Sequence, residues 1–114
     1  MVVSVFALPA SADDREVVRT GDCSARSDWK LKAKADDGGL EVEFEIDQNV
    51  VGDRWKVRIL QDGERIFAGR RTTRGASGSF SVERRTSDNA GTDNFVGRAR
   101  NVSTDDVCRG TLSF

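Results

Sequence analysis

The stretch Trp29–Ile46 reads WKLKAKADDGGLEVEFEI and decides the fold class of this chain. Apolar and charged residues alternate on both sides of Asp37-Gly38, and successive side chains of a β-strand point to opposite faces. Asp-Gly is a strong signal for a two-residue hairpin turn. Closing the hairpin at this turn places lysines opposite glutamates and apolar residues opposite apolar residues, as with Lys32 and Glu43. The stretch therefore predicts a hairpin with one apolar face and one charged face.

The rest of the chain continues with short alternating segments, and a second Asp-Gly turn lies at Asp62-Gly63. No helical periodicity of useful length and no internal repeat occurs. Seven half-apolar strands need two sheets packed face to face. The sequence predicts an all-β, seven-stranded antiparallel two-sheet sandwich, immunoglobulin-like or fibronectin-III-like, with Val17-Val18 as a candidate short edge strand. The predicted strands are 28–35, 40–47, 54–60, 64–71, 79–85, 94–100 and 107–114.

The composition describes one small domain, because the chain has 114 residues, of which 37% are hydrophobic and 32% charged. Histidine is absent, which removes the usual general base, the usual pH switch and the commonest zinc ligand. No Gly-x-Ser-x-Gly motif occurs, and the cysteine spacing fits no zinc or Cys-x-x-Cys pattern. A formal net charge of −1 implies no general attraction to nucleic acid. We expect a non-enzymatic protein with no cofactor and no metal site.

The first residues have the character of a targeting segment. Ala10-Ser11-Ala12 has the small-x-small form of a secretory cleavage site, and Val2–Leu8 resembles the apolar core that precedes one. We interpret residues 1–12 as the remnant of a secretory signal peptide, residues 13–26 as an N-terminal extension and residues 27–114 as the β-sandwich. The alternative is a disordered N-terminal extension. No segment has the length of a membrane span, so we expect a secreted protein.

Cys23 and Cys108 are the only cysteines. In an exported domain a disulfide is expected, whereas a cytosolic protein would carry two buried thiols. The first and last strands of an immunoglobulin-like sandwich can lie side by side. Cys23 precedes the first predicted strand and Cys108 opens the last, so both would lie at the same end of the domain. We predict that these two residues form a disulfide.

Two segments carry resemblances to known proteins. Asp93–Asn101 resembles the sixth strand of immunoglobulin-like domains, although Phe95 replaces the corner tyrosine and Gly97 stands where antibody domains have a cysteine. The start Ser27–Ala33 (SDWKLKA) and the end 98–101 (RARN) followed by 108–110 (CRG) resemble a group of small, uncharacterised secreted actinobacterial proteins. That second resemblance implies export and the sandwich and supplies no activity.

One predicted surface stands out in charge. The outward positions of the third, fourth, sixth and seventh predicted strands bring together basic and apolar side chains without an acid, whereas the charges of the opposite sheet nearly cancel. Clustered arginine beside exposed apolar groups is typical of a binding surface, and arginine suits bidentate contacts with carboxylate or phosphate. The alternative is a solvated sheet, or one covered by acidic loops. The predicted binding residues are Lys56, Arg58, Leu60, Arg65, Phe67, Arg71, Arg98, Arg100 and Arg109.

Three functional hypotheses follow, in decreasing order of support. The first is a secreted binding or adhesion module whose basic face holds an anionic cell-envelope polymer or an acidic protein, with nucleic acid not expected as a partner. The second is a small secreted inhibitor that presents 72–78 or 86–93 to a protease or other hydrolase. The third is a hydrolase. The oxygen-rich segment Ser87–Asn94 is also a weak candidate for calcium, although it lacks the EF-hand ligand order.

Overall fold

The computed structural model describes residues 15–114, and this part of the chain is all β. The strands alternate exposed and buried positions, as the hydrophobic pattern predicts. Their bounds lie within two residues of the predicted ones, apart from the added first strand. The strands are β1 (Glu16–Asp22), β2 (Asp28–Asp36), β3 (Gly39–Asp47), β4 (Arg54–Gln61), β5 (Glu64–Thr72), β6 (Ser79–Ser87), β7 (Asn94–Asn101) and β8 (Val107–Ser113).

The strands form two antiparallel sheets that pack face to face. The first sheet has the order β1-β2-β3-β6 and the second has the order β5-β4-β7-β8. After β3 the chain crosses to the second sheet, returns for β6, and crosses again for β7 and β8. The immunoglobulin-like sandwich is therefore confirmed, with β2 to β8 as its seven expected strands and β1 as an eighth.

The hairpin that decides the fold has the predicted register. Lys32 lies opposite Glu43 and Leu31 lies opposite Phe44. Asp37 and Gly38 have φ angles of 49° and 80°, so both central turn residues are left-handed, as a type I′ turn requires. Asp62-Gly63 repeats this geometry, with φ angles of 51° and 83°.

The described residues before Ser27 are part of the sandwich. β1 pairs along its length with β2, so Val17 and Val18 lie in the expected edge strand. The segment expected as an N-terminal extension thus supplies a strand and one of the two cysteines. The predicted signal-peptide remnant, residues 1–12, lies outside the described residues.

The inner faces of the two sheets form one apolar core. Trp55 has no solvent exposure, and its indole N–H donates to the Gln48 side chain at 3.1 Å. Gly97 lies where a Cβ atom would stand 2.7 Å from the Phe44 ring. This close approach explains why a glycine occupies the position at which antibody domains carry a disulfide cysteine.

A disulfide between Cys23 and Cys108 joins the two sheets at one end of the sandwich, as predicted, and spans a sequence separation of 85 residues. The buried Asp106 supports the same corner. Its carboxylate accepts hydrogen bonds from the backbone N–H groups of Ala25 at 2.8 Å and Ser27 at 3.1 Å. The turn that follows β1 is thereby held against the start of β8.

Candidate functional site

The outer face of the second sheet carries basic side chains in register. Arg70, Lys56 and Arg100 lie directly opposite one another on β5, β4 and β7. Arg58, Arg98 and Arg109 form the next row, on β4, β7 and β8. Neighbouring strands are about 4.8 Å apart, and successive outward positions on a strand are about 6.8 Å apart. We call this surface the basic face; its cations are Arg54, Lys56, Arg58, Arg65, Arg70, Arg98, Arg100 and Arg109.

Two residues predicted for the outer face lie on the inner side instead. A β-bulge shifts the pairing of β4 with β5, so that Ile59 faces Phe67 while Leu60 faces Arg65. Ile66 is the extra residue, and it reverses the direction of every later side chain on β5. Phe67 is therefore only 7% exposed, and its outward placement was wrong.

Phe67 and Arg71 lie at the side of the sandwich where β5 and β6, the edge strands of the two sheets, come together. The guanidinium carbons of Arg71 and Arg84 lie 4.9 and 4.6 Å from the centre of the Phe67 ring. The ring also lies above Gly69, where an added Cβ would be 2.9 Å from it. Through these cation–π contacts, both guanidinium groups lie at the edge of the core and not on the outer face.

Because of the bulge, Arg70, which was not among the predicted binding residues, points to the outer face. Arg70 takes the outward place predicted for Arg71. Arg54 extends the outward, exposed series of β4 by one further position. Strand alternation could have revealed Arg54, whereas Arg70 becomes visible only once the bulge is known. The remaining predicted residues, Lys56, Arg58, Leu60, Arg65, Arg98, Arg100 and Arg109, share the outer face.

Almost all cations of the basic face lack an acidic partner. Arg100 pairs with Asp105 at 2.9 Å, and Asp105 comes from the exposed turn after β7. Within residues 15–114, none of the other seven forms an ion pair. The outward strand positions of this face carry no acid, as predicted, and the carboxylate that pairs with Arg100 comes from a turn.

Five of the eight cations line a shallow depression of about 480 Å³. Ala68 and Gly69 also line it, and the methyl group of Ala68 and the bare Cα of Gly69 leave room beside the longer arginines. Leu60 and Val96 face each other on the same surface, next to the rows of cations, and both are half-buried. The depression is lined by Lys56, Val57, Arg58, Ala68, Gly69, Arg70, Arg98 and Arg100.

The outer face of the first sheet differs in its charge pattern. Lys30 pairs with Glu45 at 3.4 Å and Lys34 pairs with Glu41 at 3.9 Å. Partial burial disfavours the charged form of Lys32, but its hydrogen bond to Glu43 and the surrounding carboxylates raise its pKa above the ordinary value. The ladder of opposite charges predicted by the hairpin register is therefore present.

The two loops considered for other functions have different surroundings. In 72–78, Thr73 is buried and its N–H donates to the Asp53 carbonyl oxygen at 2.9 Å, which holds that loop against the domain. In 86–93, positions 87–92 are exposed, while Asp93 is buried and accepts from Gln61 at 2.9 Å. Across residues 15–114, no group of three or more Cys, Asp or Glu side chains is arranged to hold a metal ion.

One serine and one lysine occur at Ser-x-x-Lys spacing, which suggests nucleophilic chemistry. Ser27 precedes β2 and is buried, with only 2% of its surface exposed. Lys30 points to the outer face and pairs with Glu45 at 3.4 Å. The buried hydroxyl and the outward ammonium do not form a nucleophile–base pair in this arrangement.

The sequence matches no model of a known protein family and has no significant match among curated proteins. In the described part of the chain, no helix is long and apolar enough to cross a membrane. The candidate site therefore has to be interpreted from its own geometry and charge.

Proposed function

We propose that this chain is an exported, non-enzymatic binding or adhesion module. Its basic face would hold an anionic cell-envelope polymer or the acidic surface of another protein. The Cys23–Cys108 disulfide is consistent with an oxidising compartment, and the targeting-like residues 1–12 add to the case for export.

The observation that carries the proposal is the arrangement of cations in rows, in which Arg100 alone pairs with an acidic residue of the described chain. Like charges directly opposite each other on neighbouring strands destabilise a sheet, so these rows are unfavourable for the isolated domain. Elsewhere on the same domain, lysine and glutamate alternate across strands and pair. An anionic partner would remove the repulsion on the basic face, and this gain would contribute to its binding.

The residue types also favour an anionic partner. Seven of the eight cations are arginines, whose planar guanidinium groups bind carboxylate and phosphate in bidentate geometry. Leu60 and Val96 add apolar area beside the charges. Polar anchoring next to a small apolar area is typical of a protein surface that contacts a partner.

The experiment measures binding of long-chain polyphosphate and of poly-glutamate to the full chain over a salt series. The test variant is Arg58→Glu with Arg98→Glu, which reverses two central cations. The matched control is Lys30→Glu with Lys34→Glu, which makes the same charge change on the other sheet. We expect binding that weakens as salt rises, at least tenfold weaker binding by the test variant, and unchanged binding by the control.

Thermal unfolding of each variant checks that the fold is retained. Equal binding by both variants, or binding that is independent of salt, would overturn the proposal. Hydrolase inhibition that survives the test variant but is lost on substitution of Asn89 and Thr92 would favour the inhibitor hypothesis, because both residues lie in the exposed 86–93 loop.

A further inference from the structure

A row of three carboxylates lies at one end of the first sheet. Asp28 on β2 is directly opposite Asp22 on β1 and directly opposite Asp47 on β3. All three residues are exposed and point to the outer face. None of them forms an ion pair with another described residue. We call Asp22, Asp28 and Asp47 the acidic row.

The acidic row is electrostatically unfavourable in the isolated domain. Partial loss of solvation, a hydrogen bond with Asp22 and the negative charges of Asp22 and Asp47 raise the pKa of Asp28 above its ordinary value. The row borders a shallow depression of about 340 Å³, which Trp29 and Lys30 also line. Cations placed in this depression would relieve the repulsion between the carboxylates.

The strand ends change the charge balance of this outer face. The expectation of near-cancelling charges holds for the central positions of β2, β3 and β6. With β1 and the strand ends included, the described outward positions carry nine carboxylates and four cations. The carboxylates are Glu16, Asp22, Asp28, Asp36, Glu41, Glu43, Glu45, Asp47 and Glu83, and the cations are Lys30, Lys32, Lys34 and Arg85.

The two outer faces of one molecule are thus complementary in charge and in spacing. The acidic row crosses three adjacent strands, and so does each row of three cations on the basic face. Because the distance between neighbouring strands is about 4.8 Å in any sheet, the two kinds of row have the same repeat. A net charge of −1 leaves little overall repulsion between copies.

We propose that the acidic row of one copy docks on the basic face of a second copy. This inference rests on the proposed function and names a partner for the same basic face. The contact uses a different surface on each copy, so it is heterologous. Each docked copy still offers its own free acidic row or basic face, so the association extends head to tail and is suited to an adhesion module.

Sedimentation equilibrium of the full chain at low and high salt tests the proposal. We expect the wild type to reach at least twice the monomer mass at low salt and to return to the monomer mass at high salt. Asp28→Lys with Asp47→Lys should be monomeric at both salt concentrations. The matched control, Glu16→Lys with Glu83→Lys, changes the same charge on the same face outside the acidic row and should associate like the wild type.

A mixing experiment gives a second, independent readout. The Asp28→Lys/Asp47→Lys variant keeps its basic face, and the Arg58→Glu/Arg98→Glu variant keeps its acidic row. Each should be monomeric alone, and an equimolar mixture should form a complex of two chains and stop there. A wild type that stays monomeric at low salt, or a mixture without complex, would overturn the proposal.

The polyphosphate assay separates failure of this inference from failure of the proposed function. A monomeric wild type that binds polyphosphate through Arg58 and Arg98 would overturn the self-association alone. A wild type that neither associates nor binds polyphosphate or poly-glutamate would overturn both.

Discussion

The outer faces of the two sheets have the same strand geometry but different charge patterns. In the centre of the first sheet, lysines lie opposite glutamates, whereas on the second sheet cations lie opposite cations. Lys32 on the first sheet lies between carboxylates and pairs with Glu43 at 3.4 Å and with Glu16 at 3.8 Å. Arg58 on the second sheet lies directly opposite Arg98, with no carboxylate between them. Exposed ion pairs contribute only about 0.2–1 kcal/mol each. The difference between the two faces therefore has little effect on the stability of the domain. Its main consequence is that the charges of the second sheet remain available to a partner.

The largest expected effect on stability comes from removing the Cys23–Cys108 disulfide, which links the two sheets covalently. Replacing Cys23 and Cys108 by serine should lower the free energy of unfolding by about 4 kcal/mol, because an 85-residue loop regains its freedom in the unfolded chain. Denaturant unfolding of oxidised wild type and the double variant measures this loss. A change below about 1 kcal/mol would contradict the role given to this crosslink.

Asp106→Asn should produce the next largest loss, about 1–3 kcal/mol, because three backbone N–H groups and the Ser24 hydroxyl donate to this carboxylate. The neighbouring Asp105 is the control, since its side chain is 80% exposed. Asp105→Asn should leave the unfolding free energy nearly unchanged, and chemical denaturation of both variants makes the comparison.

The same carboxylate gives a pH dependence with a definite sign. Burial raises the pKa of Asp106, but hydrogen bonds from Ser27, Ala25 and Ser24 outweigh it and hold the pKa below the ordinary value of 3.8. Its contribution to stability is therefore full above that value and disappears as pH falls through the lower pKa of the folded state. Unfolding curves of the wild type should show this acid loss, and Asp106→Asn should reduce it. An equal acid loss in the two proteins would contradict the assignment.

Removing one cation from each outer face should have opposite effects on stability. Lys32→Met breaks two ion pairs and leaves Glu43 beside Glu83, so it should cost about 0.5–1 kcal/mol. Arg58→Thr removes repulsion from Arg98 and should be neutral or stabilising by a few tenths of a kcal/mol. Thermal unfolding at low salt, in protein dilute enough to be monomeric, measures both effects, and high salt should bring the two values together. Equal losses in both variants would remove the distinction between the faces.

The smallest expected effect concerns the acidic row. Because the pKa of Asp28 is raised from its ordinary value of 3.8, its ionised form is disfavoured in the folded state. In dilute solution, where the chain is monomeric, Asp28→Asn should therefore increase the melting temperature slightly at neutral pH, and the increase should vanish at a pH below that value. A decrease at neutral pH would show that Asp28 has a stabilising partner.

Most of the fold could be predicted because alternation and Asp-Gly turns act locally. The register of β2 with β3 follows from residues that are close in sequence, and the charged pairs follow from that register. The bulge on β5 depends on distant packing. Ile66 and Phe67 are adjacent apolar residues that cannot both point inward on a regular strand, and the pairing of Phe67 with the buried Ile59 shows that Phe67 does. The outward directions predicted on β4, β7 and β8 therefore agree with the structure, apart from the omission of Arg54, whereas of the binding residues predicted on β5 only Arg65 points outward.

The most direct test of the basic face is a residue-resolved titration. Amide chemical shifts of the isotope-labelled full chain are followed as long-chain polyphosphate is added at the lowest salt concentration at which the chain is monomeric. We predict that the largest shifts occur at Lys56, Arg58, Arg98 and Arg100, and that the amides of β2 and β3 stay unchanged. Largest shifts on β2 and β3 or in the 86–93 loop, or none at all, would contradict this prediction.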